Sequence, residues 1–433
     1  MTPLRVLLTC HELVIRAGSQ LYTRDVAETL RELGHSPVVF SPRLGEVAEE
    51  LRSRGVAVID RLDRLGAPPD VIHGQHHLEA MAAMLRFPGV PALYVCHGWL
   101  PWLEAPPRFP SLLRYVAVDT LRRDRLVLEH GIAEDRVTVL PNFVDLDRFQ
   151  PRPRLPPRPR RALLLSNQAA PHTFLPAVER ACAASGLELT VAGFAAGSAT
   201  PRPEDLLQTY DLVFARGRAA LEAMAVGAAV VLCDIEGCGP LVGSANFAAL
   251  RDLNFGMGTL RPPVEEERLR EAIAGYDPED AAWVRDRVRR EAGRREAVAR
   301  LVNLYREILA EGAELPPDGD PGSLSAASDY VSWLGERLDA EAARCAAVEG
   351  RLAAAERKLA ETEDRSASLE RHLNIAQSAL ETATGQLAVS AAELAETREQ
   401  LEVLRKSPFS RLRERLLRLP PLVALYRFFK ASG

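Results

Sequence analysis

Along residues 1–310, short apolar runs of strand length alternate with stretches of helical period. The first run, Arg5-Val-Leu-Leu8, reads as a buried strand. A loop, Ala17-Gly18-Ser19, follows it, and the spacing then predicts a helix over 22–33, closed by Gly34. Further strands are predicted at 36–40, 56–59, 70–73, 92–96, 115–118 and 137–140, with a helix at 46–54. The plan then repeats, with strands at 162–166, 188–192, 212–214 and 230–234 and helices at 174–184, 218–226 and 267–274. Strands separated by helices make βαβ units and parallel sheets. The fold class is therefore α/β, with two Rossmann-like doubly wound domains. Ligands bind such sheets beyond the carboxyl ends of the strands, so the cleft between the domains is the expected site.

The period changes near Leu338. From there to Pro408 the chain carries almost no breaker. With Cys345 at position a of a heptad, the later a positions are Leu352, Leu359, Ser366, Leu373, Leu380, Leu387, Leu394 and Leu401. The d positions run from Val348 through Ala355, Thr362, Leu369, Ala376, Ala383, Ser390 and Thr397 to Leu404. A seven-residue spacing without a stutter over this length predicts a coiled coil, a helix about 90 Å long, and a homo-oligomer held by a seam that small d residues weaken.

Breaker clusters set the boundaries. Residues 151–161 alternate proline and arginine and should form an extended linker, and Leu315-Pro-Pro-Asp-Gly-Asp-Pro-Gly322 marks a second break. The expected organisation is a domain at 1–150, a linker at 151–161, a second domain at 162–312, a flexible linker at 313–325, a coiled coil at 326–407 and a tail at 408–433. The tail carries Arg411, Arg413, Arg415, Arg418, Arg427 and Lys430 against Glu414, interleaved with leucines and with Phe409, Tyr426, Phe428 and Phe429. Basic and apolar residues at helical spacing describe a segment lying on an anionic membrane surface. RNA could use the same charges, but the apolar content favours lipid.

Composition narrows the class further. With 433 residues there is room for about two or three domains. A net charge of -5 leaves no global basic field for nucleic acid. The six cysteines are scattered, which argues against a disulfide framework, no secretory leader is expected from the short apolar run within residues 4–8, and no apolar window reaches membrane-spanning length. The expected location is the cytoplasm, with peripheral attachment to the inner face of the cell membrane.

Candidate chemistry collects at two βα turns, around Gly18 and around Gly217. Neither turn reads GxGxxG or GxxxxGK[ST], so dinucleotide and P-loop readings are unsupported. Arg216 and Arg218 stand at a helix start, where the helix dipole disfavours cations unless they serve an anion, such as a diphosphate. Glu222, one turn on among small alanines, suits a ribose diol or, equally, an ordinary exposed position. His73, His76 and His77 lack a further carboxylate or cysteine at zinc spacing, so no metal site is expected.

Several segments together resemble the large retaining family of GT-B-fold glycosyltransferases that use nucleotide-sugar donors. Val139-Leu-Pro-Asn-Phe-Val-Asp-Leu-Asp-Arg-Phe149 is similar to its inter-domain motif, and Leu221-Glu-Ala-Met-Ala-Val-Gly-Ala-Ala-Val-Val231 to its L-E-A-M-A-x-G helix and following strand. Leu30-Arg-Glu-Leu-Gly-His35, Asp70-Val-Ile-His73 and Tyr94-Val-Cys-His-Gly98 resemble further motifs of the family, in the same order. The resemblance implies that Glu222 binds the donor ribose, that the Gly18 and Ser19 loop approaches the donor diphosphate together with Arg216, Gly217 and Arg218, and that His97 lies at the reaction centre. It implies retaining transfer without a metal or cofactor, from a nucleotide sugar to a glycan or lipid-linked acceptor, in a role such as bacterial surface polysaccharide assembly. The chain also departs from the pattern. Phe214 stands where the family has a second glutamate, and Ser166-Asn-Gln-Ala-Ala-Pro-His-Thr173 lacks its arginine and lysine. These departures support the alternative of a degenerate domain serving as a scaffold or glycan-binding module.

Overall fold

The computed structural model describes residues 2–98, 102–198, 200–312, 321–407 and Arg411, Leu412 and Arg415. The chain divides into two units, residues 1–337 and 338–433.

Within the first unit, domain one is built on seven parallel strands: β1 (Arg5–Thr9), β2 (Ser36–Phe40), β3 (Ala57–Ile59), β4 (Val71–Gly74), β5 (Ala92–Cys96), β6 (Leu112–Ala117) and β7 (Val137–Val139). Their spatial order is β3-β2-β1-β4-β5-β6-β7. Helices α1 (Gly18–Glu32), α2 (Glu46–Ser53), α3 (His77–Arg86) and α4 (Thr120–Asp124) make the crossovers. Strands β4 and β5 are buried on both faces, which is why they read as continuous apolar runs rather than alternating ones. The order reverses between β1 and β4, so a crevice opens at the carboxyl ends of those two strands.

Domain two holds β8 (Arg161–Leu165), β9 (Glu188–Ala192), β10 (Leu212–Ala215), β11 (Ala229–Asp234) and β12 (Gly237–Leu241), in the order β12-β11-β10-β8-β9. Its helices are α5 (Leu175–Ala184), α6 (Pro203–Leu207), α7 (Gly217–Val226), α8 (Phe247–Asp252), α9 (Glu266–Ala274) and α10 (Pro278–Glu291). Here the switch point lies between β8 and β10. Strand β12 was not expected from the sequence. It is an antiparallel edge strand whose glycines and proline carry no strand pattern.

Helix α11 (Arg294–Glu311) lies inside the stretch read as domain two, yet it returns to domain one. Its apolar stripe of Ala297, Val298, Leu301, Val302, Tyr305 and Ile308 belongs to the core around β1 and α1. The apolar face of a helix shows that something covers it, not which sheet does. The chain thus crosses between the domains twice, and the crossings are stitched together. The Val144 N–H donates to the Ala292 carbonyl at 2.8 Å and the Arg294 N–H to the Val144 carbonyl at 2.9 Å. The segment 139–149 that resembles an inter-domain motif is one half of this hinge.

Helix α12 (Pro321–Lys406) begins within the stretch read as a linker, with proline at its first position, where no N–H is required. Its first turns pack on domain one through Ala326 and Tyr330. In the second unit the helix is continuous to Lys406, and its heptad leucines are open to solvent, Leu352 at 58% and Leu387 at 69%. Most of the basic tail, and residues 313–320 of the expected linker, lie outside the described residues.

Candidate functional site

On domain one, the floor of the cleft is made by the carboxyl ends of β1, β4 and β5. His97 follows β5 and is only partly exposed, with its Nε2 2.7 Å from the Gln75 Oε1. The Gln75 amide donates to the Thr23 Oγ1 at 2.8 Å and the Thr9 carbonyl at 3.3 Å, so its oxygen faces the histidine. That fixes the neutral tautomer of His97 with the proton on Nε2. Tyr22 of α1 packs edge-on against the ring, centroids 4.4 Å apart. Burial, then the neighbouring His76 and His73 and the cations of Arg122 and Arg218, hold the imidazole well below its usual range. At neutral pH His97 is therefore an uncharged hydrogen-bonding group.

The other histidines of this cluster diverge. His73 Nδ1 meets the Tyr305 hydroxyl of α11 at 2.7 Å, His76 Nδ1 accepts from the His11 N–H at 3.0 Å, and His77 Nδ1 lies 2.7 Å from the Tyr330 hydroxyl. Among the described residues no three His, Cys, Asp or Glu side chains are grouped to hold a metal. His76 also carries a positive φ of 57°, a conformation uncommon for a non-glycine residue, in the turn from β4 to α3.

These buried rings make stability depend on pH. Burial pulls His73 and His76 down to about 3 and His77 to about 4. The unfolded chain takes up these protons first, so the stability present above pH 6.5 is lost as the pH falls. Each histidine contributes a loss of about 2 kcal/mol between pH 7 and pH 5. Glu28, Glu104, Asp119 and Glu222, which burial pushes up, act in the opposite sense. Urea unfolding of the wild type and of His73→Gln at both pH values checks this: the variant should lose about 2 kcal/mol less across the interval.

Two helices start at the cleft. Helix α1 begins at Gly18 without a side-chain cap, and a Cβ at Gly18 would meet no atom within 4 Å. Ser19 Oγ donates to the Gln20 Oε1 at 3.1 Å. Helix α7 also lacks a side-chain cap. Gly217 opens it with φ +56°, so glycine is required there by the backbone rather than by crowding, and its N–H donates to the Phe255 carbonyl at 2.7 Å. Gly193, after β9, is required by space: a Cβ there would meet the Ser166 carbonyl at 1.8 Å. The ends of β8 and β9 close against each other in this way.

The two arginines of α7 are engaged by carboxylates. Arg216 Nε donates to the Asp234 Oδ2 at 2.5 Å, with Glu236 3.3 Å from Nη2, and Ser166 Oγ holds the other oxygen of Asp234 at 2.7 Å. Arg218 Nε donates to the Glu222 Oε1 at 2.9 Å, and its Nη2 reaches across the cleft to Asp25 of α1. Asp25 also accepts from Arg24 at 2.8 and 2.6 Å. Burial raises the Asp25 carboxyl, but Arg218 and Arg24 together overcome it and hold the group down at about 2. At Glu222 burial outweighs the hydrogen-bonded Arg218 and the further cation of Arg148 and pushes the carboxyl up. Phe214 lies fully buried in the sheet of domain two, so it has no reach into the cleft.

The structure thus brings His97, Gly18, Ser19, Arg218 and Glu222 to one cleft, with Arg216 and Gly217 at the switch point of domain two. Gln75, Tyr22, Asp25 and Asp234 were not anticipated. Asp25 sits beside Arg24 in mid-helix, and nothing local marks a partner 193 residues away.

No curated protein matches the chain. A glycosyltransferase from Rickettsia africae matches 71% of this chain and 99% of its own at 17% identity, with a TM-score of 0.54. Anabaena HepE, solved in complex with UDP and glucose, matches 70% and 99% at 13% identity, with a TM-score of 0.52. These likenesses establish the fold. The profile described as Glycosyltransferase Family 4 matches residues 16–148, from the loop before α1 to the hinge. Residues 16–148 therefore match Glycosyltransferase Family 4, within a two-domain fold of the GT-B kind.

Proposed function

We propose that this protein is a glycosyltransferase that moves a sugar from a nucleotide-sugar donor to a glycan or lipid-linked acceptor, with retention and without a metal. The observation that carries the reading is the Family 4 match over a domain whose crevice meets the uncapped start of α7 across one cleft. The donor diphosphate would lie at the N-terminal ends of α7 and α1, where backbone N–H groups and the helix dipole favour negative charge. Preorganised donors there stabilise the charge that develops on the leaving diphosphate. Glu222 would accept from the donor ribose, and neutral His97 would hydrogen-bond the sugar or a phosphate oxygen. Assembly of bacterial surface polysaccharide is the role that fits a basic amphipathic tail, since lipid-linked acceptors reside at the membrane. Among the described residues no helix is long and apolar enough to cross one.

A second reading is favoured by the ion pairs. Arg216 and Arg218 are neutralised by Asp234, Glu236, Asp25 and Glu222, which suits a degenerate domain acting as a coiled-coil scaffold. A screen of nucleotide sugars for hydrolysis and transfer separates the two. The transferase reading expects turnover with at least one donor and a loss of a hundredfold or more in Glu222→Ala. The scaffold reading expects turnover with none.

A further inference from the structure

Where the first turns of α12 meet domain one, they leave a cavity of about 300 Å³ walled by His77, residues 105–108, Asp329, Tyr330 and Trp333. This is at the small end of the range for ligand pockets. Its two aromatic side chains stand around one imidazole, Trp333 5.0 Å and Tyr330 5.9 Å from His77, both steeply inclined to it, and Trp102, which does not line the cavity, packs on the same ring at 4.9 Å. The imidazole is fully buried, but Trp102, Tyr330 and Trp333 each keep part of their surface open. His77 donates or accepts at Nδ1 with Tyr330, which ties the imidazole to α12. Arg108 and the exposed Asp329 complete the wall.

Flat apolar faces with a few polar groups around them match one class of ligand closely. A pyranose presents a C–H face that packs on an aromatic ring, and a rim of hydroxyls that a carboxylate and a guanidinium can meet. A simple hydrocarbon would leave the carboxylate of Asp329 and the guanidinium of Arg108 on the wall unused, and a polyanion would be opposed by Asp329. One stretch of chain also links the cavity wall to His97. The Leu103 carbonyl accepts from the His77 N–H at 3.4 Å, and one residue on, the Glu104 Oε2 accepts from the His97 N–H at 3.1 Å.

We propose that this cavity binds a pyranose unit, with α12 supplying half of the wall, and that it receives the acceptor glycan; the second part rests on the transferase reading. The helix that leads into the heptads would then be part of the binding surface rather than a tether alone.

The test uses the full-length protein with methyl glycosides of glucose, galactose, mannose, rhamnose and N-acetylglucosamine, and with maltose and cellobiose. Tryptophan fluorescence and saturation-transfer NMR read binding. At least one saccharide should bind, and Trp333→Ala should weaken it tenfold or more. Because Trp333→Ala also loosens the helix, Asp329→Ala on the open rim is the second variant and should weaken the same saccharide at least threefold. Trp283→Phe, on domain two, should bind as the wild type does. Silence across the panel, or binding unchanged in both cavity variants, overturns the pocket. UDP, GDP, ADP and dTDP are titrated into the same samples. Nucleotide binding without a saccharide response defeats the pocket alone, and saccharide binding without nucleotide binding defeats the transferase reading alone.

Discussion

Replacing Arg218 with alanine should destabilise the folded protein by about 3–5 kcal/mol, the usual cost of leaving a buried charge without its partner. The side chain is 12% exposed, Asp25 1% and Glu222 9%, so solvent screens the triad little. Alanine leaves Asp25 with Arg24 alone and Glu222 without its hydrogen-bonded cation. Asp25→Asn in the same chain should recover part of the loss, and a double-mutant cycle by urea unfolding measures how much. Because Arg218 joins α7 to α1, the variant should also loosen the two domains relative to each other. If Arg218 exchanges its carboxylates for a diphosphate on ligand binding, Arg218→Ala and Arg216→Ala should weaken a nucleoside diphosphate far more than the nucleoside. Equal losses for the two ligands would show both arginines to be structural.

The second large effect concerns the C-terminal third. In a single chain, the heptad leucines of α12 are open to water over its whole length beyond residue 338. A continuous helix of this kind stays ordered most readily when a second copy covers the seam. The full-length protein should therefore be an oligomer at micromolar concentration by light scattering, and removal of residues 338–404 should give a monomer. Deleting residues 409–433 should leave the oligomer intact and abolish binding to anionic vesicles. The monomer that keeps the tail should bind vesicles weakly and with strong salt sensitivity, because linked copies gain through effective concentration. A monomeric full-length chain would contradict the pairing.

The parts of the fold that could be read from the chain were those set by local pattern. The runs at β1, β2 and β5 and the periods of α1 and α7 carry their own burial signal, and their boundaries lie within a few residues of expectation. Pairings made at a distance were not legible. The stripe of α11 is plain in the sequence, but its docking on domain one depends on a hinge that brings Val144 beside Gly293. The same distinction runs through the site. The cations at the start of α7 signal an anion, and position alone says that Arg218 and Glu222 share a helix face. That Arg218 also meets Asp25 follows only from the closure of the cleft. Nor could spacing say that His73, His76 and His77 are each turned to a different partner by a different element: α11 for His73, the loop after β1 for His76 and α12 for His77.

The most direct test of the account is calorimetric titration of the full-length protein with UDP, GDP, ADP and dTDP and their glucose or mannose conjugates. The account predicts that at least one nucleotide and its sugar bind below millimolar concentration, and that Glu222→Ala weakens both by tenfold or more. Absence of binding by every one of them at millimolar concentration would contradict it.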